Sequence, residues 1–533
     1  MSTVETTIPA LLERAATEHG DRPFIVDGNT TLSFKDTLTQ VRALAAKLHH
    51  QGFTPGDVGA IWAPNCYEWI VTALAIQYLG GTLVTLNTRY KGAEAADILR
   101  ASGAQWLFLI DEFLGTNYPA SLSNEDLGGL QQVVFRAASN DAMEQFDSWL
   151  VAGNDLLKDS KILAALELSR DRVSADSVSD ILFTSGTTGR AKGVVTHHGQ
   201  NIRAFDTFAD ILGLDATDRY LIINPFFHSF GYKAGWLAAL LRGATVYPLA
   251  VFDVPAVLDQ ITRHAITVMP GPPTLFQSIL AHPELATSDL SSLIKATTGA
   301  AVIPTQLIVD MRNILGIDTV ITAYGLSESC GLVTMCRSGD DPEIIASTSG
   351  RAIPGVELGI MAADGNLLPP GESGEIVVRG FNVMQGYLDN PTATAETIDN
   401  NGWLHTGDIG YTDADGNLSI TDRLKDMYIS GGFNCYPAEI EKQLLGHPDI
   451  VQAAVIGVPD TRMGEVGAAF IVLTANSESD SATLHAWCRE HIANYKVPRH
   501  IEIVDALPLN ASGKVLKTEL RKHYAAHEAQ TKE

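Results

Sequence analysis

The chain has 533 residues, 45% hydrophobic and 19% charged, the balance of a soluble globular protein of several domains or subdomains without long disordered tracts. A chain of this length buries enough surface to need neither disulfide nor metal to hold its core. Lys and Arg number 37 against 62 Asp and Glu, a formal charge of −25, which argues against nucleic acid and anionic membrane surfaces as partners.

A polyanion bound by such a protein must be held by a few local cations and backbone N–H groups. The five cysteines, Cys66, Cys330, Cys336, Cys435 and Cys488, include no C-x-x-C pair, and the odd count fits a reducing, cytoplasmic setting. Glu5, Glu13 and Arg14 interrupt the N-terminal stretch, so no signal peptide is expected. The uncharged run Trp69–Thr88 is broken by Gln77 and Gly80-Gly81 and reads as helix, turn and strand, so no membrane insertion is expected.

In chain order, residues 8–19 form an amphipathic helix. From Gly56 to Ile110 strand-like and helix-like runs alternate, which predicts βαβ units and parallel sheet. Residues 115–175 are less patterned and read as a linker region between subdomains. Alternation resumes at 181–185 and continues through 220–225, 244–249, 266–271, 294–300 and 318–325. After Gly350, short β-type runs punctuated by Gly, Asp and Asn predict a small, mostly antiparallel layer or barrel. From 427 a compact α+β pattern follows, with Pro437 at a first helical position. The expected class is α/β: a large N-terminal domain of doubly wound sheets plus the small β layer or barrel, and a smaller C-terminal α+β domain.

The segment Thr184–Gly193 follows an apolar strand and packs three glycines and four hydroxyl residues into ten positions. Glycines let the backbone turn sharply and present N–H groups in a nest suited to phosphate oxygens; hydroxyls add donors and Lys192 adds a charge. No G-x-x-x-x-G-K-[ST], G-x-G-x-x-G, H-E-x-x-H or G-x-S-x-G is present, which removes support for a Walker loop, dinucleotide fingerprint, zinc site or hydrolase elbow.

Thr184–Gly193 resembles the signature loop of the adenylate-forming family, which includes acyl-CoA synthetases, peptide-synthetase adenylation domains and beetle luciferases. Four further motifs follow in that family's order: Tyr324-Gly-Leu-Ser-Glu328, Gly402-Trp-Leu-His-Thr-Gly-Asp408, Asp422-Arg-Leu-Lys-Asp426 with Ser430-Gly-Gly432, and Pro508-Leu-Asn-Ala-Ser-Gly-Lys514. Chance agreement of five ordered motifs is negligible. The resemblance implies that ATP is held by Thr184, Ser185, Gly186, Thr187, Thr188, Gly189 and Lys192, by Gly299, Ala300, Ala301, Tyr324, Gly325 and Ser327, and by Asp408, Arg423 and Lys514.

Each residue type suits its implied task. Glu328 offers an oxygen ligand for Mg²⁺, and Tyr324 a flat face for adenine. Asp408 offers acceptors for ribose hydroxyls. Taken alone, these residues also fit blander roles, as a loop Glu, a core Tyr and an Asx turn. The resemblance makes Lys514, Lys192 and Glu328 catalytic, with His228 bordering an acyl pocket and joining that catalytic set. It implies a two-step reaction with ATP, Mg²⁺ and CoA, and two orientations of the C-terminal domain. The hinge is placed at Lys425, in 425–426, between domains 1–424 and 427–533. Ser430, Gly431 and Gly432 line a channel for the pantetheine arm.

His228 stands where amino-acid-activating relatives carry an Asp, and no Asp occurs in 224–236, which argues against amino-acid substrates. No carrier-domain site follows Lys514, so free CoA is favoured as acceptor. The stretch Asn224–Trp236, read as the pocket wall with His228, Tyr232 and Lys233, looks similar to actinobacterial ligases that activate the indanedione propionate left by steroid-ring breakdown. So do Asn87–Tyr90 and Gly271–Thr274. A compact cyclic diketone gives His228 or Lys233 ketones to hydrogen-bond; the other reading of Lys233 is a surface lysine at a helix start. Medium- or long-chain fatty acids are the alternative substrates, and a non-catalytic nucleotide-binding protein is the alternative class. Oligomeric state stays open, a homodimer included.

Overall fold

The computed structural model describes residues 6–136, 144–184, 191–299, 303–423, 426–430, 433–475, 477–492, 494, 496–510 and 514–531. Two large sheets form the bulk of the molecule. In the first, six strands run parallel in the order Thr319–Tyr324, Lys295–Thr298, Val268–Pro270, Arg219–Ile222, Thr245–Pro248 and Pro23–Asp27. In the second, Val178–Thr184, Thr82–Thr85, Val58–Trp62, Trp106–Ile110 and Gln131–Phe135 run parallel. Strand Lys192–His197 returns antiparallel beside Val178–Thr184.

Strands covered on both faces read as unbroken apolar runs, as Trp106–Ile110 does: every residue in it is buried. Helix Tyr67–Tyr78 buries all but its first residue, and its sequence is accordingly apolar all round. Both features follow from doubly covered sheets, as the alternating pattern predicts.

Residues 115–175 are not a linker region. Strands Gln131–Phe135 and Glu144–Gln145 extend the edge of the second sheet, and helix Phe146–Leu156 lies on helix Phe34–His50. Trp149 is buried edge-on to Trp106 and Phe108. Gly153 lets the two helices touch, since a Cβ there would meet the Ala43 carbonyl at 2.0 Å. The stabilising contacts are distant in sequence, and a local pattern does not register them.

The small layer after Gly350 is a four-stranded antiparallel sheet, Val356–Met361, Gly374–Gly380, Leu404–Thr412 and Leu418–Arg423. From Tyr428 onward a further sheet forms around the long pair Ile450–Asp460 and Gly464–Leu473, with helices Pro437–Leu444, Ser481–His491 and Lys517–Thr531. Its two apolar clusters contain no core residue before Tyr428, whereas the main core runs from Ile8 to Leu418. All five cysteines are buried and none forms a disulfide. Among the described residues no helix is long and apolar enough to cross a membrane.

Candidate active site

Thr184 and Lys192 face each other across the open end of the hairpin Val178–Thr184/Lys192–His197. Ser185, Gly186, Thr187, Thr188 and Gly189, between them, lie outside the described residues. The Lys192 ammonium lies over the ring of Tyr387, 4.7 Å from its centroid. The Tyr387 hydroxyl donates to Glu328 Oε1 at 2.9 Å. Lys192 and Glu328, far apart in sequence, thus flank one phenol. Burial and the Glu328 carboxylate push the Tyr387 phenol well up, so at neutral pH it remains a donor.

Sequence reasoning did not single out Tyr387. Its strand is only Gly386–Tyr387, paired against Val194 and Val195 of the hairpin. A two-residue strand carries no periodicity, and the signal that finds it is the long-range pairing. Tyr387→Phe keeps the ring under Lys192 but removes the donor to Glu328. A fall of about tenfold in kcat/KM for ATP is expected, from one lost hydrogen bond to a charged group. Steady-state kinetics at varied ATP check this, and an unchanged value refutes a role for the phenol.

A second pair faces the same region. Tyr324, at the end of strand Thr319–Tyr324, donates its hydroxyl to Asp408 Oδ2 at 2.6 Å, and both side chains are buried. Asp408 stands in register with Arg423 across two antiparallel strands; the Arg423 side chain lies outside the described residues. Gly299 follows the neighbouring parallel strand and leaves open space, the nearest atom to a Cβ there being the Ala323 carbonyl at 3.4 Å. Ala300 and Ala301 lie outside the described residues. Gly325 is required sterically, because a Cβ would sit 2.3 Å from the Gly331 carbonyl. Ser327 opens the short 3-10 turn that carries Glu328. Thr184, Asn224, Gly299 and Tyr324 all stand at or just beyond the carboxyl ends of parallel strands, where open α/β sheets bind ligands.

His228 is exposed at the mouth of this region, and its Nδ1 accepts from Phe230 N at 3.2 Å. Desolvation by the surrounding protein lowers its proton affinity most. The Lys514 and Lys233 ammoniums lower it further, to a pKa of about 4, so the ring is neutral at pH 7. The charge of Lys514, which is exposed, is thus felt at His228. The Lys514 turn is closed by Lys514 N donating to Asn510 Oδ1 at 2.8 Å and by pairing of Leu509 with Val515. Arg89 reaches the Leu509 carbonyl at 3.5 Å, joining the turn to the first half of the chain.

Tyr232 and Lys233 do not line a pocket, which corrects the sequence expectation. Both are buried, and the Lys233 ammonium is 2.9 Å from Asp180 Oδ1. Nor is Lys233 a surface lysine. An apolar-rich stretch gave no sign that an aspartate from another strand would meet it. Ser430 is buried on strand Tyr428–Ser430. Gly431, Gly432 and Lys425, the expected hinge, lie outside the described residues. Among the described residues no group of three or more His, Cys, Asp or Glu is arranged to hold a metal. Glu328, half-buried with one oxygen taken by Tyr387, fits an ion shared with substrate oxygens and water, as Mg²⁺ prefers.

The AMP-binding enzyme family matches residues 12–388, and the AMP-binding enzyme C-terminal domain matches 439–514. A relative from Rhodococcus jostii (strain RHA1) is 48% identical over 98% of this chain and 99% of its own length. It is a methyl-dioxo-octahydro-indenyl propanoyl:CoA ligase. A Mycobacterium tuberculosis (strain ATCC 25618 / H37Rv) ligase of the same name is 47% identical over 97% of this chain and 98% of its own. Among solved structures, the anthranilate CoA ligase AuaEII in complex with anthranoyl-AMP superposes with a TM-score of 0.87. It is 26% identical and covers 99% of both chains.

Proposed function

The chain belongs to the AMP-binding enzyme family and is an acid–thiol ligase, and we propose that it joins a bulky cyclic propanoate to CoA through an acyl-adenylate. The observation that carries the chemistry is Tyr387, which lies under the Lys192 ammonium and donates to Glu328, together with Tyr324, just before Glu328 in the chain, which donates to Asp408.

A carboxylate is a poor acyl donor because its leaving group is oxide. Attack of a carboxylate oxygen on the α-phosphorus of ATP forms a mixed anhydride and breaks the bond to pyrophosphate. This step needs charge neutralisation and in-line placement more than a covalent group. Lys192 and the hairpin loop hold the β- and γ-phosphates. Asp408 orients the ribose, with Tyr324 holding one of its oxygens. Lys514 sits where the carboxylate meets the α-phosphate. Magnesium, when bound, neutralises phosphate charge, and Glu328 is the residue that would hold it. The thiol sulfur of CoA then attacks the acyl carbonyl, and the bond to AMP breaks. His228, kept neutral, borders the acyl side without adding charge there.

The two steps use two placements of the part beyond the hinge. We assign the first step to a placement in which the Lys514 charge reaches His228, and the second to one that brings in the Ser430–Gly432 face. The cytoplasm, where its cysteines stay reduced, is the proposed compartment.

The acid is assigned from the two relatives near 48% identity and from the short aromatic stretch Asn224–Phe230 at the strand end. With Lys233 committed to Asp180, His228 is the residue we assign to meet a ring ketone. Specificity constants for the indanedione propanoate, octanoate and palmitate, followed by pyrophosphate release, test the assignment. The cyclic acid is expected to lead by at least about tenfold, as polar fit discriminates more sharply than chain length. Preference for octanoate or palmitate overturns the substrate. ATP binding without turnover of any acid overturns the ligase.

A further inference from the structure

A buried ion pair lies behind the phosphate-binding hairpin. The Lys233 and Asp180 side chains are 2% and 0% exposed. Lys233 Nζ also donates to Thr196 Oγ1 at 3.0 Å, and Thr196 donates to Asp180 Oδ1 at 2.8 Å. The other Asp180 oxygen accepts from Ser179 at 2.7 Å and from Asn201 Nδ2 at 2.6 Å. Asn201 Oδ1 in turn accepts from the Cys330 thiol at 2.7 Å. Burial pushes that thiol up to about 11, against the opposing effect of Lys233, so it stays an S–H donor. Every member of the chain is buried.

A pair of this kind is rarely better for stability than apolar side chains of the same volume. What it adds is direction: a carboxylate and an ammonium fix angles that apolar contacts leave free to slide. The segments it joins are the three that carry the site. Asp180 and Thr196 stand on the two strands whose open end is Thr184 and Lys192. Lys233 lies in the π-helical turn Tyr232–Leu237, just after His228; such turns are rare and recur at functional sites. Cys330 lies two residues after Glu328 and has φ +61°, a left-handed conformation that non-glycine residues adopt where the surroundings enforce it.

We propose that the Lys233–Asp180 pair, extended through Asn201 to Cys330, is a positioning hub that touches no substrate and sets the mutual placement of Lys192, His228 and Glu328 for acyl-adenylate formation. The proposal rests on the ligase reading above. It makes Lys233 and Asp180 positioning residues, felt most in the first half-reaction, since Lys192 and Glu328 act on the triphosphate alone and His228 only borders the acyl side.

The test replaces both charges together, Asp180→Leu with Lys233→Met, in the full chain. The single replacements strand a buried charge and serve only as stability controls. Because Ser179, Thr196 and Asn201 lose Asp180 as acceptor, the double variant is expected to melt below wild type while staying folded, and to form acyl-adenylate about ten- to a hundredfold more slowly, as misplaced reacting groups do. Thioester formation from supplied acyl-adenylate is expected to stay within about twofold of wild type, because misplacement costs only the step it affects. A folded double variant with wild-type adenylation overturns the hub. Should the double variant not fold, Cys330→Ala and Cys330→Ser decide the matter. Alanine is expected to raise KM for ATP several-fold with little change in melting temperature, and serine, which keeps a donor to Asn201, to restore it. Wild-type kinetics in folded Cys330→Ala overturn the hub. Wild type that makes no acyl-adenylate from any acid defeats the ligase reading instead, so the two failures are distinguishable.

Discussion

Lys514→Ala is expected to lose adenylate formation by a factor of about 10² to 10³, the usual cost of removing one preorganised charge from a phosphoryl-transfer site. Thioester formation from supplied acyl-adenylate is expected to persist. In the first step negative charge builds where two anions, the carboxylate and the α-phosphate, approach each other. In the second, AMP departs from an anhydride already formed, and no comparable repulsion has to be overcome. The Lys514 turn is held by Asn510 and reached by Arg89, and the Lys514 charge is felt at His228.

That influence supplies an independent readout. The Lys514 charge lowers the His228 pKa, so Lys514→Ala should let it rise from about 4, while desolvation, the larger cause, keeps it below the ordinary histidine value. An NMR titration of His228 follows this directly. Equal loss in both half-reactions refutes the step-specific role. An unmoved His228 titration refutes the placement of Lys514.

Taken alone, a Gly- and Thr-rich turn, a loop Glu, an Asx-type Asp or a lone Lys has blander uses; Lys192, Glu328, Asp408 and Lys514 are named because five such segments occur in the order of the adenylate-forming family. What the pattern could not carry was partnership. Tyr387 joins Lys192 to Glu328 through a two-residue strand added to the sheet from far along the chain. Lys233 reads as a lone cation in an aromatic stretch because Asp180, its partner, lies 53 positions earlier on another strand. The same holds for Trp149, whose burial against Trp106 turns an unpatterned segment into a sheet edge and a packed helix. Alternating sheets were recoverable because burial on both faces imposes composition on every strand. Contacts that close over long sequence separations impose none.

Lys425→Pro is expected to spare adenylate formation and to slow thioester formation by a factor on the order of ten or more, as a blocked domain movement does when it gates turnover. The chain leaves the four-stranded sheet at Arg423, whose strand is in register with Asp408. By Asp426 it is tied to the C-terminal part, because Asp426 Oδ1 accepts from Arg521 Nη2 at 2.9 Å on the last helix. A rotation between the two parts therefore has to be taken up between these anchors, and Lys425 is the residue proposed to absorb it. Proline fixes φ near −65°, removes the N–H and restricts Leu424 before it. One backbone arrangement then survives where two are needed. The first half-reaction, run in the placement that brings Lys514 to His228, does not require the change. Pyrophosphate exchange measured beside acyl-CoA formation from supplied acyl-adenylate separates the steps. Unchanged overall turnover moves the hinge to another residue in 422–426. Loss of pyrophosphate exchange in a folded Lys425→Pro protein shows instead that the substitution disturbs the placement of Lys514 itself, and a single hinge at this position is then refuted.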